Sequence, residues 1–402
     1  MRVRIGVQRA GVAIVLACMS GLFATRSVSA DDGDATRRAM AKMFESIRVL
    51  LPASVDSARF GDATRAPELR AALAGVSEAA RAVASHTKAP HSGVRFLGRS
   101  LDREARRALQ LYDSGQTDRS RFAVLQIAEY CAACHSRLPS DDAALSRNLL
   151  DSPAFARLET AERGRLEIAT RQFEAGLASL EKVILDPETP TATLLDPITD
   201  HLVVSIRVKR DFARPRALLQ KLVARKDLWS FVRLDLERWL ASLDEVEERA
   251  TSSASLEDAV AIVRESEALR RFPTDRQSLV HSVAASSILH RFIEAHPEQS
   301  PRVAKAYYLL GVAEMATGPN YWLALDRFYL ETSIRMAPGA PTAIDAYALL
   351  EEETILAFTG SGGVNLPDDV RAWLDELRQL IFAAQPDLFR IDEAADEPED
   401  VT

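Results

Sequence analysis

The chain has 402 residues and a formal charge of −8, long enough for two or three domains. Residues 1–30 hold four arginines and no acid, so the remainder carries 46 basic and 58 acidic residues, or −12, which argues against nucleic acid as a partner. The charge is uneven. Residues 31–140 have 17 Lys and Arg against 13 Asp and Glu (+4) and residues 141–402 have 29 against 45 (−16), an asymmetry expected of two domains with different surfaces.

At the N-terminus, Arg2, Arg4 and Arg9 precede an apolar run from Ala10 to Phe23, and Val28-Ser29-Ala30 follows it. A basic region, a short apolar region and a small-residue cleavage site read as a secretory signal peptide over residues 1–30, and hence as a periplasmic protein. The run is short for a transmembrane span, so an uncleaved anchor is the second choice. Val15-Leu16-Ala17-Cys18 falls short of a lipoprotein box because Leu16 is bulky for its place. No later segment has the length and apolarity to cross a membrane.

Residues 34–139 read as four amphipathic helices within a domain spanning 31–140. The first carries Met40, Met43, Phe44, Ile47, Leu50 and Leu51 on one face, and Pro52 is expected to close it. The second opens at Pro67 and carries Leu69, Leu73, Val76, Ala80 and Val83. The third begins near Ser92 and runs through Leu97, Leu101, Ala105, Ala108 and Tyr112 to Ser114-Gly115. Arg95, Arg99, Arg103 and Arg107 recur along it every four residues, a solvated face or a basic strip for haem acids or an acidic redox partner. The fourth is capped near Asp118 and carries Phe122, Leu125, Ala128, Cys131 and His135 before Pro139. Short connections favour an up-down-up-down four-helix bundle.

Cys131-Ala132-Ala133-Cys134-His135 is a Cys-x-x-Cys-His motif. Two thiols one helical turn apart can add to the two vinyl groups of one haem, and the adjacent histidine is then held beneath the iron. With Cys18 in the signal segment, these are the only cysteines of the mature chain. A redox dithiol is the competing reading, and it requires a βαβ context that the pattern lacks. One covalent haem c is therefore expected on Cys131 and Cys134, with His135 the proximal iron ligand. An up-down-up-down arrangement puts Met40, His86 and His91 at the same end as the motif, as alternatives for the far side of the iron beside an open sixth site.

On these residues the chain resembles the cytochrome c′ class, including its low-spin relatives with a methionine ligand. That family has a four-helix bundle with Cys-x-x-Cys-His near the end of its last helix. Its first helix often has an Arg-x-x-x-Met-x-x-Met run, loosely matched here from Arg37 to Met43. The resemblance covers about a quarter of the chain and implies Met40 as the distal ligand. Pro139 departs from it, since the family's last helix runs on with basic residues; Arg137 is the residue left in their place.

From Leu158 the pattern is helical throughout. Phe173 to Pro187 resembles the second helix and turn of a tetratricopeptide repeat, and Pro301 to Leu310 realigns 40 residues later with Pro341 to Leu350. Residues 141–390 are read as tetratricopeptide-like hairpins stacked into a solenoid with a concave surface. Pro187 to Pro197 marks a break, Gly360 to Gly363 a flexible loop before a helix at Asp368–Phe382, and residues 391–402 a disordered acidic tail. His201, His281, His290 and His296 lack metal-ligand spacing, and neither a Ser-His-Asp set nor a phosphate loop is present.

The expectation is an all-α, exported, single-haem cytochrome rather than an enzyme, transferring electrons to a redox partner at the haem edge. The repeats are expected to dock a protein or peptide. A gas-binding (NO or CO) or redox-sensing haem with an open distal site, or a repeat adaptor with an accessory haem, are the alternatives.

Overall fold

The first long helix, α1 (Ser29–Ser54), buries Ala39, Met43, Ile47, Leu50 and Leu51, which recur at the three- and four-residue spacing of one helical face. Pro52 does not close it: it sits inside the last turn and the helix runs on to Ser54. The computed structural model describes residues 29–86, 93–137, 139–142, 153–155, 158–272, 275–317 and 325–385. Most of the expected signal peptide, His91 and the acidic tail lie outside them.

A short helix the sequence reading missed, α2 (Ser57–Phe60), follows, capped by Asp56, whose carboxylate accepts from the backbone N–H groups of Ala58 and Arg59. Its Phe60 is buried edge-on against Tyr112, with ring centroids 5.7 Å apart. Three long helices come next: α3 (Ala66–His86), α4 (Gly93–Asp113) and α5 (Thr117–His135). In sequence order α1 packs on α3, α3 on α4 and α4 on α5, and α5 returns to α1. The Lys42–Glu78 pair at 2.6 Å and the Arg70–Asp113 pair at 2.8 Å tie α1 to α3 and α3 to α4 at positions that make neighbours antiparallel.

The second half is helical as well: α6 (Thr160–Ala169), α7 (Phe173–Leu185), α8 (Leu195–Leu202), α9 (Ala213–Val223), α10 (Ser230–Ser252), α11 (Leu256–Leu269), α12 (Leu279–Ala295), α13 (Pro301–Thr317), α14 (Leu325–Met336), α15 (Pro341–Ala357) and α16 (Asp368–Ala384). The sequence pair 40 residues apart is α13 and α15, each with proline at its first position, where the missing N–H costs nothing. α6 and α7 approach closely at Gly176, where a Cβ would lie 2.9 Å from Cγ1 of Ile168 and 3.1 Å from the carbonyl oxygen of Gly164. Between α8 and α9 the chain adopts a seven-residue π-helix, Val203–Lys209, which ends at Arg210 with φ 53°. Gly360–Gly363, expected as a flexible loop, forms the turn of a small antiparallel hairpin, β1 (Thr359–Gly360) and β2 (Gly363–Val364), closed by Gly363 at φ 94°.

Among the described residues the fold is all-α apart from that hairpin. One apolar core runs without interruption from Ala39 in α1 to Tyr329 in α14, so both halves of the chain share it, and a smaller cluster joins α14, α15 and α16. No helix of the described residues is long and apolar enough to cross a membrane.

Candidate functional site

The site is built on α5. Its buried stripe is Ser120, Ala123, Val124, Ile127 and Tyr130, and the Ser120 hydroxyl donates to the carbonyl of Ala108 in α4 at 2.8 Å. Cys131 and Cys134 lie four and seven residues beyond Ile127, so both thiols continue this inward face. Of the expected stripe, Leu125, Ala128, Cys131 and His135 are partly buried, whereas Phe122 is exposed. α5 has two apolar faces because it is covered on both sides, by α1 and α4 and by α6.

Both thiols are half-buried against the shared core. Burial pushes Cys131 up to about 12, with Cys134 and Glu129 adding to the rise, and burial lifts Cys134 to about 11 against the field of Arg137. Thiol groups held protonated in this way are the opposite of the low-pKa pair that a thiol–disulfide enzyme needs.

His135 closes the helix. Its Nδ1 lies 2.9 Å from the carbonyl oxygen of Ala169 in α6. A carbonyl only accepts, so Nδ1 carries the proton and Nε2 keeps its lone pair. Burial, the larger effect, holds the ring down at about 4 despite that hydrogen bond, so the imidazole is neutral at physiological pH. Two thiols a turn apart plus a neutral imidazole oriented through Nδ1 form a donor set that fits haem c: two covalent anchors and one nitrogen ligand.

Arg121, near the start of α5, donates to the carbonyl of Ser54 at the end of α1 at 2.9 Å. Met40 and His135 each lie fourteen residues from that tie, roughly 21 Å along their helices, which brings the half-buried Met40 level with His135. His86 is the last residue of α3. With Glu78 beside Lys42, it lies roughly 9 Å past the level of Met40. Arg99, Arg103 and Arg107 are exposed on α4, the solvated face anticipated for that strip.

Behind the motif, on the other face of α5, is a cavity of about 700 Å³. Ala128, Glu129, Ala132 and Ala133 form one wall, and Arg165, Asp200, Arg207 and Glu314 form parts of the others. Cys131, Cys134 and His135 do not line it. Burial raises both Glu129 and Asp200, and Arg165, which donates to Asp200 at 2.9 Å, opposes the rise.

Two residues after His135, Arg137 turns into the second half of the chain. It is only 7 % exposed, its Nη2 lies 3.4 Å from Nδ1 of His290 in α12, and its guanidinium carbon is 5.9 Å from the ring centroid of Tyr329 in α14. Ala169, His290 and Tyr329 left no trace of this site in the sequence, because a backbone carbonyl has no sequence signature and His290 is 153 positions from Arg137.

No protein-family model, curated protein or solved structure matches this chain.

Proposed function

We propose that this protein is an exported, single-haem c-type cytochrome of four-helix-bundle design (residues 31–140) that transfers electrons, joined to a tetratricopeptide-like helical region (141–390) that docks a protein partner. The observation that carries the reading is the His135 geometry: the motif's imidazole is neutral, with Nδ1–H given to Ala169 and Nε2 left to bind a metal. Haem, once bound, supplies a one-electron iron centre. Cys131 and Cys134 hold it by two covalent bonds on the inward face of α5. The Ala169 carbonyl fixes the tautomer and rotation of His135 and strengthens it as a donor. Met40, level with His135, would supply the sixth ligand; its soft sulfur would favour the ferrous state and raise the potential, as a carrier requires. Arg99, Arg103 and Arg107 offer a basic surface to an acidic redox partner.

Optical spectra of the oxidised and reduced protein, with and without carbon monoxide, test the function through Met40. Wild type is expected to be six-coordinate and low-spin, with a weak far-red sulfur-to-iron band and slow carbon monoxide binding. Met40→Ala should become high-spin, bind gas faster and lose potential. A wild type that is already high-spin, with Met40→Ala silent, replaces the carrier reading by gas binding.

A further inference from the structure

Arg137 is a buried cation with no carboxylate in hydrogen-bond contact among the described residues, and Glu294 acts on it only through space. Among the described residues its Nε and Nη1 have no hydrogen-bond partner, and Nη2 has only the imidazole of His290. A guanidinium cannot accept, so Nδ1 of His290 is the acceptor and the ring proton must sit on Nε2, which is also buried without a partner. Three donor nitrogens therefore lack an acceptor around one full positive charge. Arg207 shows how this chain treats the same problem elsewhere: it is 4 % exposed, and its Nη2 meets a carboxylate oxygen of Glu314 at 2.8 Å while its Nε donates to Ser286. An unpaired buried charge is among the most destabilising features a fold can contain, and the cation–π contact with Tyr329 is worth much less than an ion pair.

We infer that Arg137 and His290, backed by Tyr329, form a buried site for a carboxylate. The site joins the two halves of the chain, since Arg137 follows the Cys-x-x-Cys-His motif whereas His290 and Tyr329 come from α12 and α14. The guanidinium fits a carboxylate because its N–H groups form a planar fork matching two oxygens. Two sources share this chemistry: an acidic side arm of haem attached at the neighbouring Cys134, or a free carboxylate from solution. The first source rests on the cytochrome reading; the second does not.

Thermal unfolding of the full-length protein tests it. If a carboxylate sits on Arg137, Arg137→Met strands that anion and lowers the unfolding midpoint of the haem-loaded protein. If the guanidinium is unpaired, the same change removes a buried charge and raises the midpoint, which overturns the inference. A formate titration at constant ionic strength, on wild-type chain made with and without haem, identifies the source and needs no variant to fold. Formate that raises the midpoint of the haem-free chain alone, saturably, assigns the site to the haem arm; formate that stabilises both forms assigns it to a free anion. No saturable shift in the haem-free chain refutes the site whether or not the protein carries haem.

Discussion

Replacing Glu314 with Ala isolates the buried ion pair that ties the π-helix to α13. The Arg207–Glu314 pair is 2.8 Å long, and its side chains are 5 % and 3 % exposed. Ser286 Oγ accepts from Arg207 Nε at 2.9 Å, and Thr317 Oγ1 donates to Glu314 at 3.2 Å. Removing the carboxylate leaves the guanidinium buried with one neutral acceptor, a loss of about 3–5 kcal/mol by analogy with other broken buried pairs. Arg207→Met combined with Glu314→Ala removes both charges together and should recover much of that loss, because neither desolvated charge remains. The assay is equilibrium denaturant unfolding of wild type, both single variants and the double variant, read as a double-mutant cycle. Glu314→Ala within about 1 kcal/mol of wild type would refute the reasoning, as would a double variant equal to the sum of the singles.

Gly176→Ala should destabilise by about 1–3 kcal/mol, because the added Cβ meets Ile168 at 2.9 Å and the Gly164 backbone at 3.1 Å; calorimetry of the two proteins checks it. Glu181 is held down at about 2, first by the hydrogen bond from His201 and then by Arg214. A depressed carboxylate contributes stability above its ordinary value near 4.5, and that contribution is lost as the pH falls towards 2. The gap between wild type and Glu181→Gln, at most about 3 kcal/mol, should therefore shrink across that window in denaturant titrations at stepped pH; a gap that stays constant contradicts the assignment.

Much of the fold is legible because its signals are local. The apolar spacing from Met43 to Leu51 and prolines 67, 301 and 341 fall inside or at the starts of real helices. The Cys-x-x-Cys-His motif was read from five adjacent residues. The misread parts are those where tertiary context decides. Phe122 has the spacing of a core face, yet it is exposed while Leu125 and Ala128 on that face are partly buried, and the fully buried stripe runs through Val124 and Ile127. Pro52 forfeits one backbone N–H bond but stands within the final turn, with only Ala53 and Ser54 of the helix after it. Ser361 and Gly362 look like a linker, but the glycines on either side pair as strand ends. The hydrogen bond orienting His135 and the cluster around Arg137 join residues 34 and 153 positions apart, beyond what helical periodicity can report.

The central claim is that Cys131 and Cys134 carry one haem. Express the full-length chain in a host that exports it and attaches haem, digest the purified protein, and weigh the peptide that contains both cysteines. The account predicts a single peptide heavier by one haem, and an alkaline pyridine spectrum with the bands of a haem joined through two thioether bonds. A peptide of unmodified mass with both thiols free to alkylation, from a host shown to load another c-type cytochrome, would contradict it.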